Sequence, residues 1–337
     1  MLAASELPPS RRYDLTMLDL DGVVYIGRDP VPGAAEHLSA ARASGTRVAF
    51  ITNNAARPPQ TVADHLNALG VPATRSDVVT SAQAAAHLLL ERLGPGARVV
   101  RLGGPGVEAA LVEAGLVPVG VDDDAEALVT GYGPDVLWRD IMRAAVRVRD
   151  GLSWVACNAD LTIPTGFGVA PGHGVLVETI SRFSGVDADV AGKPQRPLLD
   201  ETIRRLGGER PLMVGDRLDT DIEGAHNTGV DSLLVLTGVT GLAELVGAPA
   251  EHRPTYLAPD LAGLLEAHPA PVRDGEGWRC GDWVAGVEDD RLRVAGRGEP
   301  GDWWRALAAA AWDHLDRTGR VADTSGARVP TATVTPG

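Results

Sequence analysis

The chain has only two cysteines, Cys157 and Cys280, among 337 residues. That count excludes a disulfide framework and a cysteine-built metal cluster. Long apolar runs are missing too: none approaches the roughly 20 residues that a membrane-spanning helix needs. Residues 1–12 carry Pro8, Pro9, Arg11 and Arg12 but no apolar signal core, so cytoplasm is the expected compartment. Positive charge is scarce. The 31 Lys and Arg face 45 Asp and Glu, a net charge of −14 that argues against a nucleic-acid surface. A small phosphate ester in a local pocket remains compatible with that balance. Hydrophobic residues at 44% and charged residues at 23% place the chain outside the disordered regime. The length suggests two domains or three.

What is present is organised around residues 15–24, an apolar run that ends in Asp19-Leu20-Asp21-Gly22. Side chains two apart in a strand point to one face, so the two acids share a face only if the strand continues through Asp21. Gly22 suggests instead that the backbone bends there, at a strand's C-terminal end, where open α/β sheets bind ligands. Two acids in an apolar segment repel each other and resist desolvation, and such a pair calls for a cation, a proton or a reaction.

In order, the chain alternates strand and helix, which points to parallel sheets. Strands are expected at 14–20 and 46–51, with a helix at 34–43 opened by Pro32-Gly33 and closed by Gly45. The second strand runs into Thr52-Asn53-Asn54. Pro58-Pro59 starts a helix that stops at Gly70, and Ser81 is expected to cap the next, to about Leu93. Residues 96–187 repeat the pattern with strands at 97–102, 126–130 and 153–157 and helices at 106–114, 135–149 and 174–183. Trp138, Ile141, Met142, Ala145 and Val148 fall on one face of the second helix. Residues 188–268 return to the pattern of the first block, with Ala191-Gly192-Lys193-Pro194, a helix over 196–206, a strand at 211–214 and another at 232–236. The strand at 211–214 ends in Gly215-Asp216-Arg217-Leu218-Asp219-Thr220-Asp221. From Pro269 five of the seven tryptophans crowd a Gly-, Asp- and Arg-rich module with an amphipathic helix expected at 302–317 and a frayed last dozen residues.

Four strand-end clusters therefore carry chemistry: Asp19/Asp21, Thr52/Asn53/Asn54, Lys193 and Asp216/Asp221. An open parallel sheet gathers such ends at one edge. The set suits metal-assisted phosphoryl transfer. A carboxylate of ordinary pKa, about 3.9, is ionised at neutral pH and can attack phosphorus. A second acid can protonate the leaving alkoxide and then deprotonate water. At about 4 Å two like charges repel by about 1 kcal/mol in water and about 4 at an effective dielectric of about 20. Clustered aspartates thus call for a divalent cation, and an all-oxygen site suits magnesium.

Asp19-Leu-Asp21-Gly22-Val23, Thr52, Lys193 and Gly215-Asp216-x-x-x-Thr220-Asp221 resemble the four ordered motifs of haloacid dehalogenase-superfamily phosphatases. The large insert and the wording Ile51-Thr-Asn-Asn54 and Ala191-Gly-Lys-Pro194 resemble class IIA, the nitrophenyl-phosphatase-like group with a C2 cap. The tryptophan-rich tail resembles the bacterial glycerol-3-phosphate phosphatase branch. The resemblance implies an α/β fold: a doubly wound parallel-sheet core (13–84 and 188–268), an inserted α/β cap (85–187) and a small C-terminal α+β domain (269–337). That last domain would be an acetyltransferase-fold-like remnant. No R/Q-x-x-G-x-G/A loop occurs in 269–337, so acetyl transfer is not expected of it.

Carried over by residue, the resemblance makes Asp19 the nucleophile that becomes phosphoaspartate and Asp21 the general acid/base. Thr52 and the Asn53 amide would hold the phosphoryl group, with Asn54 beside them, and Lys193 would neutralise it. Mg2+ would sit between the Asp19 carboxylate, the Asp21 main-chain carbonyl and Asp216, with Asp221 orienting that shell. Asn158, Asp160 and His173 resemble the cap segment that faces substrate. The implied activity is hydrolysis of a small phosphorylated alcohol, foremost glycerol 3-phosphate, with phosphoglycolate, pyridoxal phosphate or nucleotides as alternatives. A cap-mediated homodimer is also implied.

Blander readings stand beside these. Thr52 could cap the helix before Pro58, Lys193 alone could be a surface lysine, and His173 in Pro-Gly-His-Gly could be a turn residue. Asp219 reads as a solvated loop carboxylate or local cap, and Asp122-Asp123-Asp124 as an acidic turn. The tail tryptophans read as a small domain's core or as a binding stripe. One rival comes from another class. Gly104-Pro-Gly106-Val-Glu-Ala109 with Asp124 has the form of a dinucleotide fingerprint, although Pro105 removes an amide from the loop that should offer amides.

Overall fold

The computed structural model describes residues 1–330. The chain divides into two compact units, Met1–Val48 with the chain from Gly208 onward, and Ala49–Gly207. The expected insert at 85–187 lies inside the second unit, which also takes in 49–84 and 188–207.

In the first unit, strands Tyr256–Ala258, Asp231–Val235, Pro211–Gly215 and Leu15–Leu18 lie side by side in that order, all parallel. Leu15 faces Pro211 across the ladder, Leu212 faces Asp231, and Leu233 faces Tyr256. Every residue of Leu15–Leu18 is buried, the near-continuous apolar run of a parallel strand covered on both faces. The strand stops at Leu18, so Asp19 and Asp21 do not share a strand face. Gly22, at φ +86°, turns the backbone as expected: the N–H groups of Val23 and Val24 both donate to the Leu20 carbonyl.

The tail forms a four-stranded antiparallel sheet, Val272–Asp274, Gly277–Cys280, Trp283–Glu288 and Arg291–Ala295, followed by helix Pro300–Thr318. That helix is less amphipathic than its sequence suggests. Residues 303–312 are buried without interruption, the mark of a core helix. Trp303 and Trp312 join Leu218, Ile222, Leu234, Leu245 and Leu257 in one hydrophobic cluster, with Trp278 and Trp283 packed against it. The tryptophans are core, and the core they serve includes the segment that carries Asp221. The Trp312 indole donates to the Leu245 carbonyl at 2.8 Å, and buried Arg305 donates to the Leu257 carbonyl at 3.2 Å. Of the expected frayed end, residues 331–337 lie outside the described residues.

In the second unit, Phe50, Ile51 and Thr52 of strand Arg47–Thr52 pair in parallel with Val78–Thr80. A further five-stranded parallel sheet runs Asp189–Val190, Ser153–Ala156, Ala127–Thr130, Arg98–Leu102, Val117–Val119. Helix Ser81–Leu93 is capped by Thr80, not Ser81. The Gln83 N–H donates to Thr80 Oγ1 and the Gln83 side chain accepts from the Thr80 N–H, a reciprocal capping box. Helix Trp138–Arg149 buries Ala144, Ala145 and Val148, with Ile141 packed at the edge. Trp138 and Met142 are exposed, contrary to the expected face. Small alanines at the buried stripe let this helix approach helix His173–Ser184 closely, and Met142 falls off that stripe. An antiparallel hairpin, Thr162–Thr165 with Gly168–Pro171, went unread in the sequence between the last expected strand and helix of the insert. Among the described residues no helix is long and apolar enough to cross a membrane.

Candidate active site

Each unit carries one set of the expected residues. In the first, one carboxylate oxygen from each of Asp19, Asp216 and Asp221 lies within 4.8 Å of the other two. Asp216 and Asp221 are fully buried, Asp19 is half-buried, and Asp21 is exposed and outside the set. Gly215 ends the strand that delivers Asp216, and a Cβ on it would lie 2.2 Å from the Asp221 Cβ. Only glycine lets these carboxylates come so near the backbone. The chain then makes a wide turn closed by a bond from the Ile222 N–H to the Arg217 carbonyl, five residues back, an arrangement frequent at functional sites. The turn aims Asp221 back at its own start: its Oδ2 accepts from the N–H groups of Asp216 at 3.2 Å and Arg217 at 3.1 Å. Asp219 is a local partner, as its blander reading has it. Burial works to raise its pKa, but hydrogen bonds from Arg217 outweigh that and hold it below the usual range.

Three gathered carboxylates, two of them without solvent, repel unless a cation lies among them. The donors are all oxygen, which fits a hard divalent ion such as magnesium. Among the described residues this is the one such grouping of three or more His, Cys, Asp or Glu side chains. Both thiols are buried and pushed up to about 12 by that burial, which leaves them inert at neutral pH.

The sequence reading overlooked a fifth strand end, Thr237-Gly238-Val239-Thr240, beyond strand Asp231–Val235. The Val239 N–H donates to Asp216 Oδ2 at 2.6 Å, and the Thr240 N–H to the Asp216 carbonyl at 3.1 Å. The signal was two hydroxyl residues and a glycine after an apolar run, which carries no charge to draw attention.

In the second unit Asn53 is the hub. Its Oδ1 accepts from the Lys193 N–H at 2.8 Å, and its Nδ2 donates to the Lys193 carbonyl and to Asp160 Oδ1, each at 3.0 Å. The Asn53 carbonyl in turn accepts from Ser81 Oγ and Asn158 Nδ2, both at 2.6 Å. So the Asn53 side chain grips the main chain of Lys193 on both sides and leaves only its backbone amide to offer a ligand. Lys193 is buried, which removes the surface-lysine reading. Thr52 Oγ1 accepts from the Asn54 N–H at 3.1 Å, and Asn54 Oδ1 from the Ala56 N–H at 2.9 Å, a pair of local turns. Thr52 does not cap the following helix, whose N-cap is Pro58.

Asn158 and His173 extend the same network. Asn158 Oδ1 accepts from the Asp160 N–H at 3.2 Å, and the Asn158 carbonyl lies 2.8 Å from His173 Nδ1, which therefore carries the ring proton. His173 is the first residue of its helix and is almost fully buried. Burial pushes its imidazole down to about 4, against a smaller upward pull from the bond to Asn158.

The dinucleotide-like loop has a packing explanation. The Gly106 N–H donates to the Ala56 carbonyl at 2.9 Å, and a Cβ on Gly106 would lie 2.3 Å from the Ala55 carbonyl oxygen. A Cβ on Gly104 would meet Ala56 at 3.1 Å. The chain's own residues 55–57 fill the place a pyrophosphate would need.

The chain is similar to several known proteins. Residues 16–117 match the haloacid dehalogenase-like hydrolase family, and residues 190–264 match the HAD-hydrolase-like family. The D-glycerol 3-phosphate phosphatase of Mycobacterium tuberculosis is 40% identical over 315 residues, 90% of this chain and 87% of that protein. The crystal structure of glycerol phosphate phosphatase from the same organism in complex with calcium superposes with a TM-score of 0.83 at 39% identity, covering 96% of this chain and 93% of that one. A 4-nitrophenylphosphatase from Thermotoga maritima superposes at 0.71 with 30% identity, covering 76% of this chain and 98% of that one. This chain belongs to the haloacid dehalogenase-like hydrolases.

Proposed function

We propose that the protein is a magnesium-dependent phosphomonoesterase that hydrolyses glycerol 3-phosphate through a phosphoaspartate on Asp19. The observation that carries this is the carboxylate set of Asp19, Asp216 and Asp221, one half-buried acid at a strand end beside two fully buried ones. The half-buried Asp19 carboxylate attacks phosphorus, and the alkoxide leaves as Asp21, which is exposed, protonates it. Asp21 then takes a proton from the water that hydrolyses the acyl phosphate. Thr52, the Asn53 backbone amide and Lys193 hold the phosphoryl oxygens, while Asn54, Asn158, Asp160 and His173 shape the surrounding loops. Asp19, the Asp21 carbonyl and Asp216 would hold Mg2+, which when bound neutralises charge on the phosphoryl oxygens and the nucleophile.

Residues 85–187 serve in this reading as the cap that excludes bulk water during attack, between core segments 13–84 and 188–268, with 269–337 as the C-terminal domain. Glycerol 3-phosphate is favoured over other esters by the extent of likeness. The calcium-bound glycerol phosphate phosphatase matches 96% of the chain, more than can be reached without the tail. The acid sugar phosphatases of Staphylococcus aureus, at 34% identity, match 74%. The same proposal places the enzyme in the cytoplasm. A cap-mediated homodimer accords with the exposed Trp138, Met142, Phe167 and Val169, and sedimentation of the purified chain tests it.

The direct test is phosphate release from a panel of small phosphomonoesters with magnesium and with EDTA. Metal-dependent release fastest on glycerol 3-phosphate is the expected result. Metal-dependent release with phosphoglycolate, pyridoxal phosphate or a nucleotide as the best ester would move the substrate assignment, and no release at all would end the proposal.

A further inference from the structure

Three loops of the first unit converge on Asp216, and the third has no role in the chemistry above. Thr237 Oγ1 donates to the Gly22 carbonyl at 2.5 Å, which ties this loop to the bend that follows Asp19 and Asp21. Two residues on, the Val239 N–H holds Asp216 Oδ2, and the Thr240 N–H holds the Asp216 carbonyl. Gly238 sits between these bonds. A Cβ there would lie 2.0 Å from Asp216 Oδ2 and 2.8 Å from the Gly22 Cα. A Cβ on Gly22 would meet the same Asp216 oxygen at 2.4 Å. The carboxylate is therefore enclosed by two glycine backbones, and one hydroxyl fixes the distance between them.

We propose that Thr237 is a positioning residue: its bond to Gly22 locks the 237–240 loop to the nucleophile bend and so sets the orientation of the Asp216 carboxylate toward a divalent cation. The inference rests on the reading of Asp216 as a metal-holding group. Only one Asp216 oxygen is engaged by Val239. With that bond in place the carboxylate cannot rotate freely, and the other oxygen keeps a fixed direction. Outer partners that orient metal-binding carboxylates typically change affinity by about 10–100-fold when removed. Thr237→Val keeps the shape and deletes the donor. Thr237→Ser keeps the donor.

The test is calorimetric titration of the metal-stripped full-length protein with magnesium, without substrate, beside an unfolding curve of each metal-free variant. Thr237→Val is expected to bind magnesium about 10-fold more weakly, Thr237→Ser to bind within about twofold of the parent, and both to unfold at the parent's temperature. Gly238→Ala, which would push the carboxylate aside, is expected to lose at least as much affinity as Thr237→Val. Asp216→Asn is the control for the underlying reading and is expected to abolish binding. Unchanged affinity in Thr237→Val beside lost affinity in Asp216→Asn would overturn the positioning role alone. Unchanged affinity in Asp216→Asn would overturn both. A loss in Thr237→Val that Thr237→Ser does not restore would assign the effect to shape and also overturn the proposal.

Discussion

The two units solve opposite problems with the same few residues. The first must hold like charges close together, and it does so with main-chain donors and glycines: Asp221 takes two backbone N–H groups, Asp216 takes the Val239 N–H, and Gly22, Gly215 and Gly238 make room. The second must present a cation and neutral donors, and it does so with side chains that grip main chain, above all Asn53 on Lys193. Burying a carboxylate without donors is costly, whereas a buried amide is satisfied by two or three ordinary bonds. Charge in the first unit is thus bound to glycine and backbone geometry. In the second, precision is distributed over Asn53, Asn158, Ser81 and His173, none of them charged in the fold.

That contrast predicts unequal responses to mutation. Asp19→Asn keeps the shape of the half-buried side chain and removes the nucleophile. Turnover should fall by at least about 10⁴-fold, the scale of losing a catalytic nucleophile, while the unfolding temperature holds. Phosphate release and a thermal melt on the same sample check this, and near-normal activity would sink the nucleophile assignment.

The next largest effect should come from far outside the carboxylates. Trp312 is fully buried in the cluster that also holds Leu218 and Ile222, on either side of Asp221. Trp312→Ala should cost about 3–5 kcal/mol, the usual range for emptying a buried indole site, and the Leu245 carbonyl would lose the indole donor and keep only main-chain ones. Denaturant unfolding measures it. A loss below about 1 kcal/mol would show that the tail is an appendage and not part of the core that braces the Asp221 turn.

Legibility in the sequence follows the same divide. Asp19 and Asp216 could be read because each directly follows an apolar strand, where a charge has few structural reasons to exist, and Lys193 and Asp221 because they stand at fixed places in the ordered motifs around them. The parallel α/β elements could be read because buried strands are continuous apolar runs and their helices begin at proline and end at glycine. Thr237 could not, since a hydroxyl after a strand is ordinary turn chemistry until Gly22 is seen 2.5 Å away. The clamp by Asn53 was illegible for a related reason: an asparagine's partners 107 and 140 residues away leave no local pattern. The dinucleotide-like loop shows the converse. Its glycines satisfy a local motif, yet their purpose is close passage of residues 55–57.

If the second unit works through the clamp, its hub should matter less than Asp19 and in a different way. Asn53→Ala removes three side-chain bonds but no charge, and it leaves Lys193 in place on a looser main chain. The expected loss is about 10–100-fold in kcat/KM, with weakened inhibition by inorganic phosphate, because the lysine would no longer be held in register. Steady-state kinetics with phosphate as a product inhibitor distinguish this from a simple folding defect. Unchanged phosphate inhibition would remove Asn53 from the grip on the phosphoryl group.

The smallest effect separates the units by acid. His173 is neutral in the fold with a pKa of about 4, against about 6.5 in an unfolded chain. Above pH 6.5 neither state binds the proton, so His173 adds no pH dependence there. Between about 6.5 and 4 the unfolded state takes up a proton that the folded state refuses, so stability falls as pH falls. The slope reaches at most about 1.4 kcal/mol per pH unit for one such group. His268 in the first unit is also held at about 4, chiefly by burial, and faces the Arg305 guanidinium at 3.3 Å. His173→Gln should flatten the acid slope measured by urea unfolding at pH 7, 5.5 and 4.5, and His268→Gln should flatten it independently. If only His268→Gln changes the slope, then His173 takes up its proton in the fold as readily as in the unfolded chain, and burial in the second unit's network does not hold its ring neutral in acid.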